Sequence, residues 1–330
     1  MRLVMMGTGS FAEPTFAALL NSSHEVVGVF TQPDRQSGKE RGSTRQAKLG
    51  VKEMAQDRSI PVFQPDRVTT PEAIAKLQSL RPDLLVVAAY GQILSNDVLA
   101  SAAQGGINVH ASLLPKYRGA APINWAIYHG EKHSGVTIIR MSVRLDAGDM
   151  LAQESVYVPS DETAGELELR LAPLGAKLAI DVIDRIARGE AIQGVKQDSS
   201  QVTKAPKLTK EHGLIDWTRT AEQVCNQVRA MQPWPTAYTF LHREAQVPLR
   251  VIIHRAHEFP VRYDSDSPPG KLFTDAQFPE SLFVTAGLID TEERSVVEVA
   301  ELQPAGKRRM SAADFLRGHP VMPGARMGRA

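Results

Sequence analysis

Asn108 and His110 stand two residues apart in Ile107-Asn108-Val109-His110, an apolar run that predicts a strand. Side chains two apart on a strand point to the same face. A carboxamide able to donate to a developing oxyanion therefore sits beside an imidazole able to handle protons. Asp146, in Leu145-Asp146-Ala147-Gly148-Asp149, is an acid on a later loop. Such a group orients an imidazole and favours its charged form. A lone histidine on a buried strand is more often a hydrogen-bonded core residue than a catalyst. Asn108 on the same face, and the loop that follows, change that reading.

The elements that must gather these groups follow from periodicity. Strands are predicted at residues 3–6, 26–30, 62–63, 84–89 and 107–110, alternating with helices up to residue 20 and at 47–57, 71–80 and 97–103. Such alternation implies βαβ units, so the fold class is α/β with a doubly wound, Rossmann-like, mostly parallel sheet. Ligands of such sheets bind outside the carboxyl ends of the strands, where the loops 90–94 and 111–121 begin. Strands expected at 136–141 and 151–158 flank the Asp146 loop. Thr163 and Glu166 read as a capping box opening a helix with leucines at 167, 171, 174 and 178, which Pro173 should kink and Gly189 should end.

From about residue 193 to 208 the chain turns polar and aperiodic, which predicts a linker. Beyond it come a helix at 221–231 and strand-like runs at 237–241, 249–257, 282–285 and 295–303. Short strands between glycine, proline and aspartate turns predict a small β-barrel. The domain plan is therefore 1–192, a linker at 193–208, and 209–330, with a low-complexity end after Pro323.

Hydrophobic residues at 42% and charged residues at 23% exclude a disordered chain. The one cysteine, Cys225, excludes an intrachain disulfide and a cysteine-based zinc cluster. Its helical setting makes it a core residue rather than a nucleophile. No stretch approaches the roughly 20 apolar residues that span a bilayer. With the first strand starting at Arg2, a signal peptide has no room, so a cytoplasmic protein without a membrane partner is expected.

Net charge is only +1, yet it is uneven. Residues 34–52 carry six Lys/Arg against two acids, 195–211 four against two, and 306–330 six against one. Three basic segments on an otherwise acidic chain suit a polyanionic partner.

Other motifs point nowhere new. Gly7-x-Gly9-x-x-Ala12 is dinucleotide-like, but the second strand ends Phe30-Thr31-Gln32 without the ribose-binding acid. His129 and His133 have metal-ligand spacing, but Gly130 intervenes, and His254 and His257 fall on opposite faces of a strand, so no metal site is expected.

Asn108-x-His110, the run Ser112-Leu113-Leu114-Pro115-Lys116-Tyr117-Arg118-Gly119 and Leu145-Asp146-Ala147-Gly148-Asp149 together resemble the formyltransferases that use 10-formyltetrahydrofolate. Phe30–Arg35, Asn124-Trp125, Ile215-Asp216-Trp217, Pro233-Trp234-Pro235 and Leu302–Lys307 are similar to the tRNA-acting branch of that family. The resemblance runs to about residue 315. It implies an OB-like C-terminal β-barrel domain that binds tRNA. It also implies formyl transfer to the amino group of initiator methionyl-tRNA, with 10-formyltetrahydrofolate as co-substrate, no metal, and a monomer.

The formyl group is a poor electrophile. An amine adds to it, an oxyanion forms, and the folate nitrogen leaves with a proton. The resemblance makes Asn108 the oxyanion donor, His110 the assistant or proton relay, and Asp146 the group that steadies the ring. Either Asp146 or His110 takes the amine proton. For the folate pocket it implies Ala89, Tyr90, Gly91, Ile93 and Leu94 on one loop and Ser112, Leu113, Leu114 and Pro115 on the next. Backbone groups of the first loop would meet the pterin edge, with Ile93, Leu94 and Leu113 walling its rings. For tRNA it implies an inserted loop carrying Arg35, Lys39, Arg41 and Arg45, with Lys207, Lys210 and Lys307 tracking phosphates. This loop departs from the family pattern, because Glu40 interrupts the basic cluster and the usual prolines are missing.

Three rivals are weighed against this reading. A sibling formyltransferase or hydrolase acting on a small amine, a nucleotide sugar or water is opposed by the linker lysines, Pro233-Trp234-Pro235 and the Gln303–Lys307 run. A noncatalytic RNA-binding protein is opposed by the intact Asn108, His110 and Asp146. A dinucleotide oxidoreductase is opposed by the missing ribose acid.

Overall fold

A computed structural model describes residues 1–34, 50–264, 266–289 and 293–330. In chain order its elements begin with β1 (Arg2–Gly7), α1 (Ala12–Leu20), β2 (Glu25–Phe30), α2 (Val51–Gln56), β3 (Val62–Phe63), α3 (Pro71–Ser79), β4 (Leu84–Ala88), α4 (Asn96–Leu99) and β5 (Gly106–His110). β6 (Arg118–Gly119), α5 (Pro122–Tyr128), β7 (His133–Arg140), β8 (Met150–Tyr157), α6 (Ala164–Ala187) and β9 (Lys204–Ala205) follow. The remainder is α7 (Ala221–Ala230), β10 (Ala237–His242), β11 (Leu249–Asp264), β12 (Leu272–Asp275), β13 (Phe278–Leu288), β14 (Glu293–Pro304), β15 (Met310–Ser311), α8 (Ala312–Gly318) and β16 (Arg326–Gly328). The chain forms two compact units. One comprises Met1–Ile123, His133–Val158 and Gly165–Lys207; the other comprises Asn124–Lys132, Pro159–Ala164 and Leu208–Ala330.

The first unit is built on a sheet in the order β3-β2-β1-β4-β5-β7-β8. Its pairings are parallel from β3 to β5 and antiparallel from β5 to β8. β4 is buried along its whole length, as expected of a continuous apolar run covered on both faces. Local capping sets the helix starts. Thr70 accepts a bond from the Ala73 N–H with Pro71 at the first helical position, and Ser95 accepts one from the Val98 N–H. α4 stops at Leu99, earlier than its pattern predicts. α6 continues through Pro173 to Ala187, with Leu167, Leu171, Ala176, Ala179 and Ile183 buried along it.

The stretch 193–208, expected to be a linker, is stitched into this unit as far as Lys207. Val195 and Met150 exchange two backbone bonds of 2.9 Å. Asp198 caps the 3-10 turn Ser199–Gln201, and β9 pairs in parallel with β6. Aperiodic polar sequence here reflects backbone groups satisfied at strand edges rather than in solvent.

The second unit is a curled antiparallel sheet in the order β12-β13-β14-β11-β10-β16, with β15 on β14. It closes on itself where Lys271 bridges Arg326 and the Met327 N–H donates to the Gly270 carbonyl at 2.7 Å. A Cβ on Gly270 would lie 2.1 Å from the Met327 carbonyl oxygen, and its φ is +85°, so closure requires glycine there. This seam also corrects the reading of the chain end. Past Pro323, Arg326–Gly328 form β16, and Ala325 and Met327 are buried, because this stretch completes the barrel. The indole N–H of Trp217 donates to Thr239 Oγ1 at 3.0 Å inside the same unit. Cys225 lies on α7; its thiol is desolvated and pushed up to about 12.

Three histidines of the second unit, His129, His254 and His319, are held below the ordinary imidazole range by burial, with Arg219 adding to the effect at His129 and Arg243 at His319. The unfolded chain therefore takes up protons below about pH 6.5 that the folded chain refuses, so stability is lost as pH falls from 7 towards 5. The melting temperature is expected to drop across that window, and His254→Gln, which removes one such group, to make the slope shallower. Calorimetry at stepped pH checks this; equal slopes for both proteins would contradict the His254 contribution.

Among the described residues, no helix is long and apolar enough to cross a membrane.

Candidate active site

β5 is only five residues long, yet it ends where the unit's chemistry is concentrated. Its register puts Asn108 opposite Ile139 and His110 opposite Thr137 on β7. Asn108 Nδ2 donates to Asp146 Oδ1 at 3.3 Å. His110 Nδ1 lies 3.6 Å from Asp146 Oδ2, and their side chains are only 5% and 9% exposed. The Gly119 N–H donates to the same Oδ2 at 2.9 Å. Asn108, His110 and Asp146 are thus brought together as their types and spacing predict.

The ring orientation is informative. His110 Nε2 donates to the Tyr117 carbonyl at 3.0 Å. A carbonyl only accepts, so Nε2 carries hydrogen and Nδ1 of the neutral ring presents its lone pair towards Asp146. A proton arriving at Nδ1 would turn that 3.6 Å approach into an ion pair.

Two residues here have left-handed backbone, Tyr117 at φ +64° and Asp146 at φ +49°. Such conformations cost about 1–3 kcal/mol and persist only where surroundings impose them. Tyr117 is imposed by β9's approach: its N–H donates to Thr203 Oγ1 at 2.8 Å, and the Arg118 N–H donates to the Thr203 carbonyl at 2.9 Å. At Gly119, φ +131°, a Cβ would meet the Ala205 carbonyl oxygen at 2.4 Å. The Asp146 turn packs equally closely, since a Cβ on Gly148 would fall 1.6 Å from the Arg140 carbonyl oxygen.

Residues 112–115 are held from below by β7 and β8. Thr137 Oγ1 donates to the Ser112 carbonyl at 2.7 Å and accepts from the Leu114 N–H at 3.2 Å. Gln153 Nε2 donates to the Leu114 carbonyl at 3.0 Å and to Thr137 Oγ1 at 2.8 Å. Ser112 and Leu114 are buried, whereas Leu113 and Pro115 are half-buried. On the neighbouring loop, Ala89 and Gly91 are exposed and Ile93 is 72% exposed. Tyr90 and Leu94 pack into the core with Phe30 and Val87, so their side chains anchor the loop. Burial pushes the Tyr90 phenol up. The Tyr90 carbonyl accepts from Gln32 Nε2 at 2.8 Å.

The glycine motif after β1 makes a tight turn: a Cβ on Gly7 would lie 2.9 Å from the Ala88 carbonyl oxygen. At the end of β2, where a ribose acid would stand, the Gln32 N–H donates to Thr8 Oγ1 at 3.1 Å.

Of the residues expected to meet tRNA, Arg35, Lys39, Arg41 and Arg45 lie outside the described residues. At the foot of that loop Asp34 pairs with Lys52 and accepts from Gln64 Nε2 at 2.9 Å; the bonds from both hold its carboxyl below the usual carboxylate range. Lys207, Lys210 and Lys307 are exposed, the last in the turn leaving β14, where Gln303 Nε2 donates to its carbonyl at 2.9 Å.

A profile described as formyl transferase matches residues 1–183, and one for the formyl transferase C-terminal domain matches 207–320. The chain is 43% identical over 330 residues to the methionyl-tRNA formyltransferase of Citrifermentans bemidjiense, covering 100% of this chain and 97% of that one. To the enzyme of the same name from Bacillus subtilis it is 40% identical over 327 residues, covering 99% and 98%. The chain belongs to the formyl transferase family.

A likeness of fold accompanies that of sequence. The N-formyltransferase of Helicobacter canadensis, solved with folinic acid and dTDP-3-aminofucose, superposes with a TM-score of 0.63 over 90% of this chain and 98% of that one, at 18% identity. WlaRD, a sugar 3N-formyl transferase, gives 0.64 at 16% identity, covering 93% of this chain and 99% of that one. In this formyl transferase the two matched spans leave residues 184–206 between them. That interval holds Gln197, which touches the Asp146 loop and whose sequence setting carries no signal of a role. Arg118, Thr137 and Gln153 are also missed by motif reading as supports of the site. Only Arg118 had a signal, its place in the Ser112–Gly119 run.

Proposed function

We propose that this enzyme transfers the formyl group of 10-formyltetrahydrofolate to the free amino group of initiator methionyl-tRNA. One observation carries the reading: a single carboxylate, Asp146, receives the Asn108 amide and the Gly119 N–H while facing His110 Nδ1. This arrangement serves attack on a formamide. One Asn108 Nδ2 hydrogen is engaged by Asp146, which leaves the other to donate to the oxygen that gains charge. As the new N–C bond forms, the amine sheds a proton, which His110 Nδ1 can accept, the imidazolium then facing Asp146. As the oxyanion collapses and the bond from the formyl carbon to the folate nitrogen breaks, that nitrogen takes the proton from His110, which returns to its neutral form. No enzyme-bound acyl group is needed, because the acceptor amine is itself the nucleophile.

The donor's flat, partly apolar ring system suits the loops after β4 and β5. Exposed Ala89 and Gly91 offer polar backbone edges, and Ile93 presents an apolar surface. Exposed Lys207, Lys210 and Lys307, with the basic segment 34–52, suit a phosphate backbone.

The test is a direct assay of protein, 10-formyltetrahydrofolate and charged initiator tRNA, reading formylmethionine. Formylmethionine should appear only when all three are present. Free formate released at the same rate without tRNA would overturn the transferase reading in favour of a hydrolase.

A further inference from the structure

The Asp146 turn has a left-handed backbone, φ +49°, which costs free energy for a residue other than glycine, and its carboxylate sits beside both Asn108 and His110. Gln197 supplies a restraint from outside the motif. Its Nε2 donates to the Asp146 carbonyl and to the Gly148 carbonyl, both at 2.8 Å. Its Oε1 accepts from Arg118 Nε and Nη2 at 3.0 and 2.8 Å. Two hydrogens meet two carbonyls, and two lone pairs meet one guanidinium, so the carboxamide is fully engaged. Gln197 is itself braced on both sides, by the Val195–Met150 bridge before it and by β9 on β6 after it. Gln197 and Arg118 therefore link the Asp146 loop to the loop that delivers Tyr117 and Gly119, whose backbone groups bond His110 and Asp146.

We propose that Gln197 is a positioning residue for formyl transfer, acting through Asp146 by holding its backbone in the left-handed turn. This rests on the proposed function of the site. The geometry distinguishes the two halves of the amide. In Gln197→Glu the carboxylate can keep Arg118 but cannot donate to the Asp146 and Gly148 carbonyls. In Gln197→Ala both links are lost. If the grip on Asp146 is what matters, the glutamate variant should be as impaired as the alanine variant despite its retained partner.

The experiment is a double-mutant cycle in steady state, with Gln197→Ala, Gln197→Glu, Asp146→Ala and the double variant Gln197→Ala/Asp146→Ala, and circular dichroism melting for each. Both Gln197 variants are expected to lose about tenfold or more in kcat with KM for tRNA and donor changed less than about threefold. In the Asp146→Ala background, Gln197→Ala should cost less than about twofold further, since its target is gone. Melting curves should show folded protein in every case. A Gln197→Ala enzyme near wild-type kcat overturns the proposal, as does an equal loss in both backgrounds, or a loss in Gln197→Ala that Gln197→Glu restores. Asp146→Ala at wild-type rate would instead overturn the proposed function of the site.

Discussion

Asn108→Ala is expected to lower turnover by about 10²–10³, the usual cost of removing one preorganised oxyanion donor. The amide stands in the middle of β5, held by the Asp146 carboxylate at 3.3 Å, so its donor direction is set before substrate arrives. Water in the space left by the side chain would have to be oriented during the reaction, which is why the loss should fall on kcat rather than on KM. His110→Ala removes a proton-handling group and should cost about 10²–10⁴. Steady-state formylation rates, with donor binding measured separately by titration, check both. Either variant at near wild-type kcat would remove that residue from the chemistry. His110 is buried and bonded to the Tyr117 carbonyl, so His110→Gln serves as a control that preserves volume and a donor without a titrating ring.

Binding of initiator tRNA should weaken by about four orders of magnitude between 50 and 200 mM salt. Each phosphate neutralised in a duplex contributes about −0.9 to the slope of log affinity against log salt, and the seven cations proposed for contact set the scale. The dependence arises from counterion release, so it should be present in binding and absent from kcat at saturation. Removing Lys207, Lys210 or Lys307 singly should flatten the slope by about one unit each and weaken binding without changing turnover of bound tRNA. Filter binding at graded salt checks this. A flat curve would show that these lysines are solvated surface and that recognition lies elsewhere.

Much of this architecture was written in the chain. The buried apolar runs of β1, β2, β4 and β5, alternating with capped helices, specify a parallel sheet because each element's hydrophobic period can be satisfied only there. The pairing of Asn108 with His110 follows from the two-residue period of a strand. What sequence reading could not supply was the part played by segments with no period of their own. Residues 193–207 look like a tether, and the residues after Pro323 look like a tail, because edge pairing is satisfied by backbone atoms that leave no pattern in side chains. Tyr90 and Leu94 look like pocket residues, yet they anchor their loop by entering the core.

The chain alone therefore determined which groups are proposed for the chemistry and which strand presents two of them, since the pairing depends on local spacing. Only the tertiary structure decided how Asp146 is turned towards them, where the Gly119 N–H meets its carboxylate, Gly148 packs on Arg140 and the Gln197 amide donates to its carbonyl. That division has a physical cause. Periodicity records what is buried along one element, whereas a carboxylate's final direction is set by hydrogen bonds from residues distant in the chain.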